Sequence, residues 1–173
     1  MKYNVWNKLI RREIYTKNDI GFPSGHSMGE DMTIMKLFVK SDKVRYVPKA
    51  LYHYVRTNVN AYTQTYSERH LADLRYNVDD IVSYIKVESD LDLHEELNFF
   101  KLNVKLPFLI SINGSDYSLW KEWYTEANEY IMKNSHLGFR SRLLQWMAWK
   151  RQWWFVRAYY VLVYRLVYGI IYK

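Results

Sequence analysis

Two carboxylates stand side by side at Glu30-Asp31, in the run Ser27-Met28-Gly29-Glu30-Asp31. The apolar residues that follow, Met32, Met35, Leu37 and Phe38, keep helical spacing, which puts the pair in the first turn of a helix. There the helix macrodipole favours the charged form of Asp31, while the like charge of Glu30 disfavours it. A general base has to be ionised at the working pH, with a pKa not far below it, and a Glu-Asp pair at a helix start is compatible with both demands. Ser27-x-x-Glu30 is also a capping box, in which the side chains only satisfy free helix N–H groups. The two roles are compatible, because capping would hold the pair in place.

The elements that position this pair fall in three regions. In 1–66, Val5, Trp6, Leu9, Ile10 and Ile14 have the spacing of a short helix. A polar loop from Thr16 to Gly29 follows, broken by Gly21, Pro23 and Gly25. After the helix of the carboxylate pair come two strand-like runs, Val44–Val47 and Leu51–Val55, separated by Pro48-Lys49-Ala50. Region 67–136 is helical throughout. Leu71, Leu74, Val78, Ile81, Val82 and Ile85 mark its first helix, further helices are expected near 93–112 and 116–134, and Asn113-Gly114-Ser115-Asp116 makes the turn between those two. Region 137–173 reads as one or two helices starting near Phe139. The expected fold class is therefore α+β, predominantly helical, with a small β-hairpin at about 44–55 and a C-terminal multi-helix extension.

Four short elements then occur in a telling order. Val5-Trp6-Asn7-Lys8-Leu9-Ile10 resembles the "WNKL" element of family 2 glycosyltransferases. After a loop ending in Phe22-Pro23 comes Gly29-Glu30-Asp31, similar to that family's "GED" element. Lys43-Val44-Arg45-Tyr46-Val47-Pro48 follows, and then Leu51-Tyr52-His53-Tyr54, which looks like the family's "lYxY" strand. The resemblance covers about a third of the chain. It implies a GT-A-like, inverting transferase in which a carboxylate takes the proton of an acceptor hydroxyl as the oxygen attacks the anomeric carbon of a nucleotide-sugar. The base corresponds to Asp31, with Glu30 orienting it or binding the acceptor. The resemblance further implies a nucleotide-binding βαβ half and an Asp-x-Asp metal element ahead of these motifs, with Mg2+ or Mn2+ and a nucleotide-sugar as the cofactors of the full-length enzyme. Nothing before Val5 supplies either. Asp90-Leu91-Asp92 has the right letters but the wrong place in the order, and Ser89 or Asp90 is expected to cap the next helix instead. The chain is thus expected to be the acceptor-side part of a truncated catalytic domain (1–66), followed by a helical extension (67–136) and a tail (137–173). It is expected to carry no metal or cofactor itself, to be inactive alone, and to be sticky where the missing half or a second copy would cover it.

Other side chains carry two readings each. Trp6 can stack on an acceptor sugar or support the Glu-Asp pair, or simply pack in the core. Lys8 can meet a diphosphate or be a solvated lysine. His53 can contact metal or pyrophosphate, or be an inward, hydrogen-bonded histidine. His26 sits in what would be the acceptor loop, and Arg56 offers a planar fork to a phosphate or to solvent.

The charge is uneven. From Tyr130 to Lys173 there are eight Lys or Arg and no Asp or Glu, whereas 1–129 holds 17 basic and 18 acidic residues, so the net charge of +7 belongs to the tail. Arg140, Arg142, Lys150 and Arg151 interleave with Trp146 and Trp149 and lead into Trp153-Trp154 and a 20-residue aromatic stretch that contains only Arg157 and Arg165 as charges. Such a tail fits an anionic membrane surface, packing on another domain or partner, or a membrane span, in which the two arginines would be costly. A lipid-linked or glycan acceptor would suit membrane docking. A non-enzymatic, membrane-associated or partner-binding helical module is the alternative to the enzyme reading. Nucleic acid is not expected as a partner, because the tail is too apolar and no recognition motif is present. The chain has no cysteine, which excludes disulfides and thiolate metal sites. No secretory signal opens it, so a cytoplasmic location, peripheral on the inner face of the membrane, is expected.

Overall fold

A computed structural model describes residues 4–27, 29–53, 68–110 and 117–163. The chain divides into two compact units, 1–92 and 93–173. The described residues are predominantly helical, and no strand occurs among them.

The first unit begins with a 3-10 turn, Val5–Asn7, then α1 (Arg12–Lys17), α2 (Glu30–Val39) and α3 (Glu68–Glu88). The single helix expected over 5–14 is broken between Lys8 and Arg11. Lys8 is extended (φ −132°, ψ 144°), and its ammonium turns back to the carbonyl of Asn4 and the Oδ1 of Asn7, both at 2.7 Å. Ile20, Ile34 and Leu37 form the small core, closed by Val5, Ile10, Ile14, Tyr15, Phe38 and, from α3, Tyr84. α3 packs along α2. It buries Val78, Ile81, Val82 and Ile85, the stripe that its sequence spacing predicts. Lys36–Asp80, at 2.6 Å, and Lys40–Glu88 pair the two helices along their exposed edges.

Residues 44–53 are exposed and lack strand pairing, so the hairpin expected at 44–55 is not seen in the described part; 54 and 55 lie outside it. The physical reason is visible in the side chains. Tyr46 is 88 % and Leu51 78 % exposed, so neither run has an apolar layer to lie on.

The second unit contains α4 (His94–Lys105), α5 (Pro107–Ile110), α6 (Tyr117–Glu122), a 3-10 turn (Thr125–Tyr130), α7 (Phe139–Trp149) and α8 (Trp153–Tyr159). The helix expected over 93–112 stops at Lys105, because Pro107 has no N–H to continue the ladder. That expected over 116–134 is broken at Tyr124, which adopts the left-handed conformation (φ 47°). The proposed turn at 113–116 lies outside the described residues. Neither Ser89 nor Asp90 caps α4. Its N-cap is Leu93, and the Ser89 hydroxyl accepts from the Leu91 amide. No helix among the described residues is long and apolar enough to cross a membrane.

The centre of this unit is a charged group. Lys105 is wholly buried, and its ammonium donates to Asn128 Oδ1 at 2.6 Å and to the carbonyl of Trp123 at 2.9 Å. The carbonyls of Tyr124 and Trp120 lie at 3.4 and 3.5 Å, and the Trp120 ring is 4.3 Å away. A lysine from the end of α4 thereby satisfies the carbonyls that the end of α6 leaves open. Burial pulls its pKa down to about 8, against the opposite pull of the Glu126 carboxylate. The folded state therefore binds fewer protons than the unfolded chain between pH 8 and the ordinary lysine value of 10.5. Stability of this unit is expected to rise with pH across that window, by up to about 3 kcal/mol. Lys105→Met is expected to remove that slope and, by leaving buried acceptors without a donor, to cost about 1–3 kcal/mol at pH 7. Urea unfolding of both proteins at pH 7, 8 and 10 measures both effects.

Candidate functional site

The Glu-Asp pair lies where its sequence spacing puts it, in the first turn of α2; both residues are exposed overall, with the Asp31 carboxyl partly shielded from water. The capping box does not form. The N-cap of α2 is Gly29, and no side chain caps the helix. Ser27 is used elsewhere: its hydroxyl donates to Asp73 Oδ2 at 2.7 Å and its amide to the same oxygen at 2.9 Å.

The other Asp73 oxygen holds His26, whose Nδ1 lies 3.1 Å from Oδ1. The His26 ring stacks on Tyr76, centroids 3.8 Å apart. Asn77, one turn along α3 from Asp73, donates to the carbonyl of Ser27 at 2.7 Å. The loop before α2 is thus fastened to α3 through the amide, carbonyl and hydroxyl of Ser27 and through the ring of His26. Close packing completes the junction. A Cβ on Gly29 would overlap the Pro23 ring and come within 3.1 Å of Asn77 Oδ1. A cavity of about 130 Å3, room for several waters, lies beside the junction, with Asn77, Tyr76 and the Lys36–Asp80 pair on its walls.

The pair also meets the first motif of the chain. Lys8 is close enough to Asp31 for their charges to act on each other. The Asp31 carboxyl is pushed above its ordinary value, first by partial burial and then by the Glu30 charge, with Lys8 opposing. Burial lowers Lys8, and Asp31 opposes that. Trp6, two residues before Lys8, is 38 % exposed and stacks on Tyr52 with ring centroids 4.7 Å apart. Tyr52 and Asp31, from two other motifs, therefore meet Trp6 and Lys8 respectively at or just after the 3-10 turn at 5–7. The elements present are a proton acceptor with a raised pKa, a lysine whose charge acts on it, and an aromatic stack formed two residues before that lysine.

The remaining candidates fall into separate places. His26 finds its partners on α3 and not at the Glu-Asp pair. His53 is exposed, and Arg56 lies outside the described residues. Among the described residues no group of three or more His, Asp or Glu side chains is placed to hold a metal ion. The tail residues belong to the second unit. Arg140, Trp149, Lys150, Arg151 and Trp154 are exposed there, whereas Arg142, Trp146 and Trp153 are half-buried. Arg142 donates to the Met132 carbonyl at 2.9 Å, and Trp153 stacks on Tyr117.

Asp73 and Asn77 are absent from the sequence-derived site. Their signal is present all the same. His70, Asp73 and Asn77 continue the buried stripe of α3 upstream of Ile81 at helical spacing, and all three are buried. Polar residues on an otherwise apolar stripe mark a polar partner.

No protein-family model matches the chain, and no curated protein or solved structure does either.

The Ser27 hydroxyl first, the Ser27 amide next, and then His26 hold the Asp73 carboxyl down at about 2, against the opposing effect of burial. A depressed carboxylate stabilises the fold above its ordinary pKa, and this contribution is lost as pH falls through the folded value of about 2. Asp73→Ala is expected to speed hydrogen exchange at the Ser27 amide roughly tenfold or more at neutral pH. It is also expected to flatten the loss of stability between pH 4 and 2. Exchange monitored by NMR, with acid unfolding of both proteins, checks the two effects.

Proposed function

We propose that this chain is the acceptor-side part of a family 2 inverting glycosyltransferase, with Asp31 as the general base. The observation that carries the reading is that residues of the three elements meet near the 3-10 turn at 5–7: Trp6 stacks on Tyr52, and Lys8 acts on Asp31, whose pKa is raised. A hydroxyl-activating carboxylate works best when its pKa approaches the working pH. Burial and Glu30 move Asp31 in that direction, and the Lys8 charge opposes them. Glu30 shares the helix start and orients the acceptor or its neighbour. The Trp6–Tyr52 stack supplies an apolar face for a sugar ring. A nucleotide-sugar and a divalent metal would be bound by a donor-side domain, which the Asp-x-Asp order of the family puts ahead of these motifs.

The test is sugar transfer from a panel of nucleotide-sugars to oligosaccharide and lipid-linked acceptors, by the protein as its gene encodes it. Asp31→Asn is expected to lower kcat by about 10³-fold while leaving donor binding unchanged. The chain of residues 1–173 by itself is expected to show no transfer. Full turnover by Asp31→Asn would remove Asp31 from the role.

A further inference from the structure

The outer side of α8 carries apolar surface that its own unit does not use. Val156 is buried, and Trp153 faces α6, stacked on Tyr117 and edge-on to Trp120. Trp154, Arg157 and Ala158 are exposed on the other side, and the π-helical turn at 160–163 adds exposed Val161 and Leu162. These recur every three to four residues, the spacing of a continuous stripe. Trp154 is 65 % and Leu162 57 % exposed.

Exposed cations lie next to this stripe along the chain. At the corner between α7 and α8, Trp149, Lys150 and Arg151 are exposed together, with the Lys150 ammonium 4.3 Å from the Trp149 ring centroid. Arg157 lies within the stripe, where its stem can cover apolar surface while its head stays in water. The unit's Asp and Glu side chains all lie at or before Glu129, and two of them, Glu95 and Glu126, are paired with Lys133 and Lys101.

We infer that the α7–α8 corner and the outer side of α8 form a docking surface for an anionic phospholipid bilayer, on which this unit lies peripherally. Each component has a place there. Val161 and Leu162 reach the acyl boundary, the Trp149 and Trp154 rings sit at headgroup depth, and Lys150, Arg151 and Arg157 meet anionic headgroups. A nucleic acid would use the cations and rings but has no place for the aliphatic pair. Lysine and alanine are depleted at protein–protein contacts relative to the rest of the surface, and exposed Lys150 and Ala158 both belong to this one. The inference is independent of the transfer reading, and its failure would leave Asp31 untouched.

The test is co-sedimentation of the full chain with vesicles of phosphatidylcholine containing about one-third phosphatidylserine, and with phosphatidylcholine alone. Binding to the anionic vesicles, with a blue shift of tryptophan emission, is expected; binding to the neutral ones is expected to be at least roughly tenfold weaker. Lys150→Glu/Arg157→Glu is expected to lower binding to the anionic vesicles roughly tenfold or more. Lys17→Glu/Lys49→Glu makes the same charge change on exposed residues of the first unit and is expected to leave binding unchanged. Trp154→Ser/Leu162→Ser, which keeps the charge, is expected to weaken binding and abolish the blue shift. Unchanged thermal unfolding certifies each variant as folded. Equal loss in both charge variants, equal binding to neutral vesicles, or no binding at all overturns the inference. So does binding of single-stranded RNA without vesicle binding, or a dimer in solution that Trp154→Ser dissociates.

Discussion

The start of α2 is held in place by a carboxylate on another helix. Asp73 gathers the hydroxyl and amide of Ser27 and the ring of His26, and Asn77 takes the carbonyl of the same serine. The bonds to Asp73 are made to a buried, ionised acceptor, the kind that is both strong and geometrically demanding. With them, the loop from Gly21 to Gly29 has a fixed exit, and the Glu30-Asp31 pair has a fixed direction. Helix α2 has no side-chain cap of its own, so its first turn depends on this anchoring. The pairing of Lys36 with Asp80 and of Lys40 with Glu88 sets the two helices side by side, whereas Asp73 and Asn77 reach past α2 to the loop that leads into it.

The second unit solves a similar problem with opposite charge. Lys105 gathers the acceptors that the end of α6 and the left-handed Tyr124 leave open, through backbone carbonyls and the Asn128 amide oxygen. The cost is desolvation of an ammonium, which the depressed pKa reports. Both units thus place a charged side chain from one helix on the exposed backbone of another segment.

Periodicity made much of this legible. The stripe 78/81/82/85 marks α3, the Met32–Phe38 run marks α2, and the tail helix α7 begins at Phe139, where the apolar spacing resumes after Gly138. The Glu-Asp pair was legible because a helix start is a local property. Long-range polar contacts were not. Ser27 followed by Glu30 has the letters of a capping box, yet the serine turns to a partner 46 residues away. Breaks inside periodic runs were also hidden. Lys8 leaves the helical conformation although its neighbours keep helical spacing, and Tyr124 follows the end of α6 in a left-handed conformation without a glycine to announce it. Alternation in 44–55 suggests strands, but alternation needs an apolar layer to bury one face, and none is present among the described residues.

The fit between Gly29 and the Pro23 ring has a consequence for how the sequence can change over time. A side chain at position 29 needs the space that the ring of Pro23 occupies, and the ring needs a neighbour without a Cβ. Neither position drifts freely. A lineage that replaced the glycine first would pass through a strained loop, whereas one that lost the proline first would open a gap that a later alanine could fill. The order of substitution matters, and the two positions form an epistatic pair that points at the start of α2.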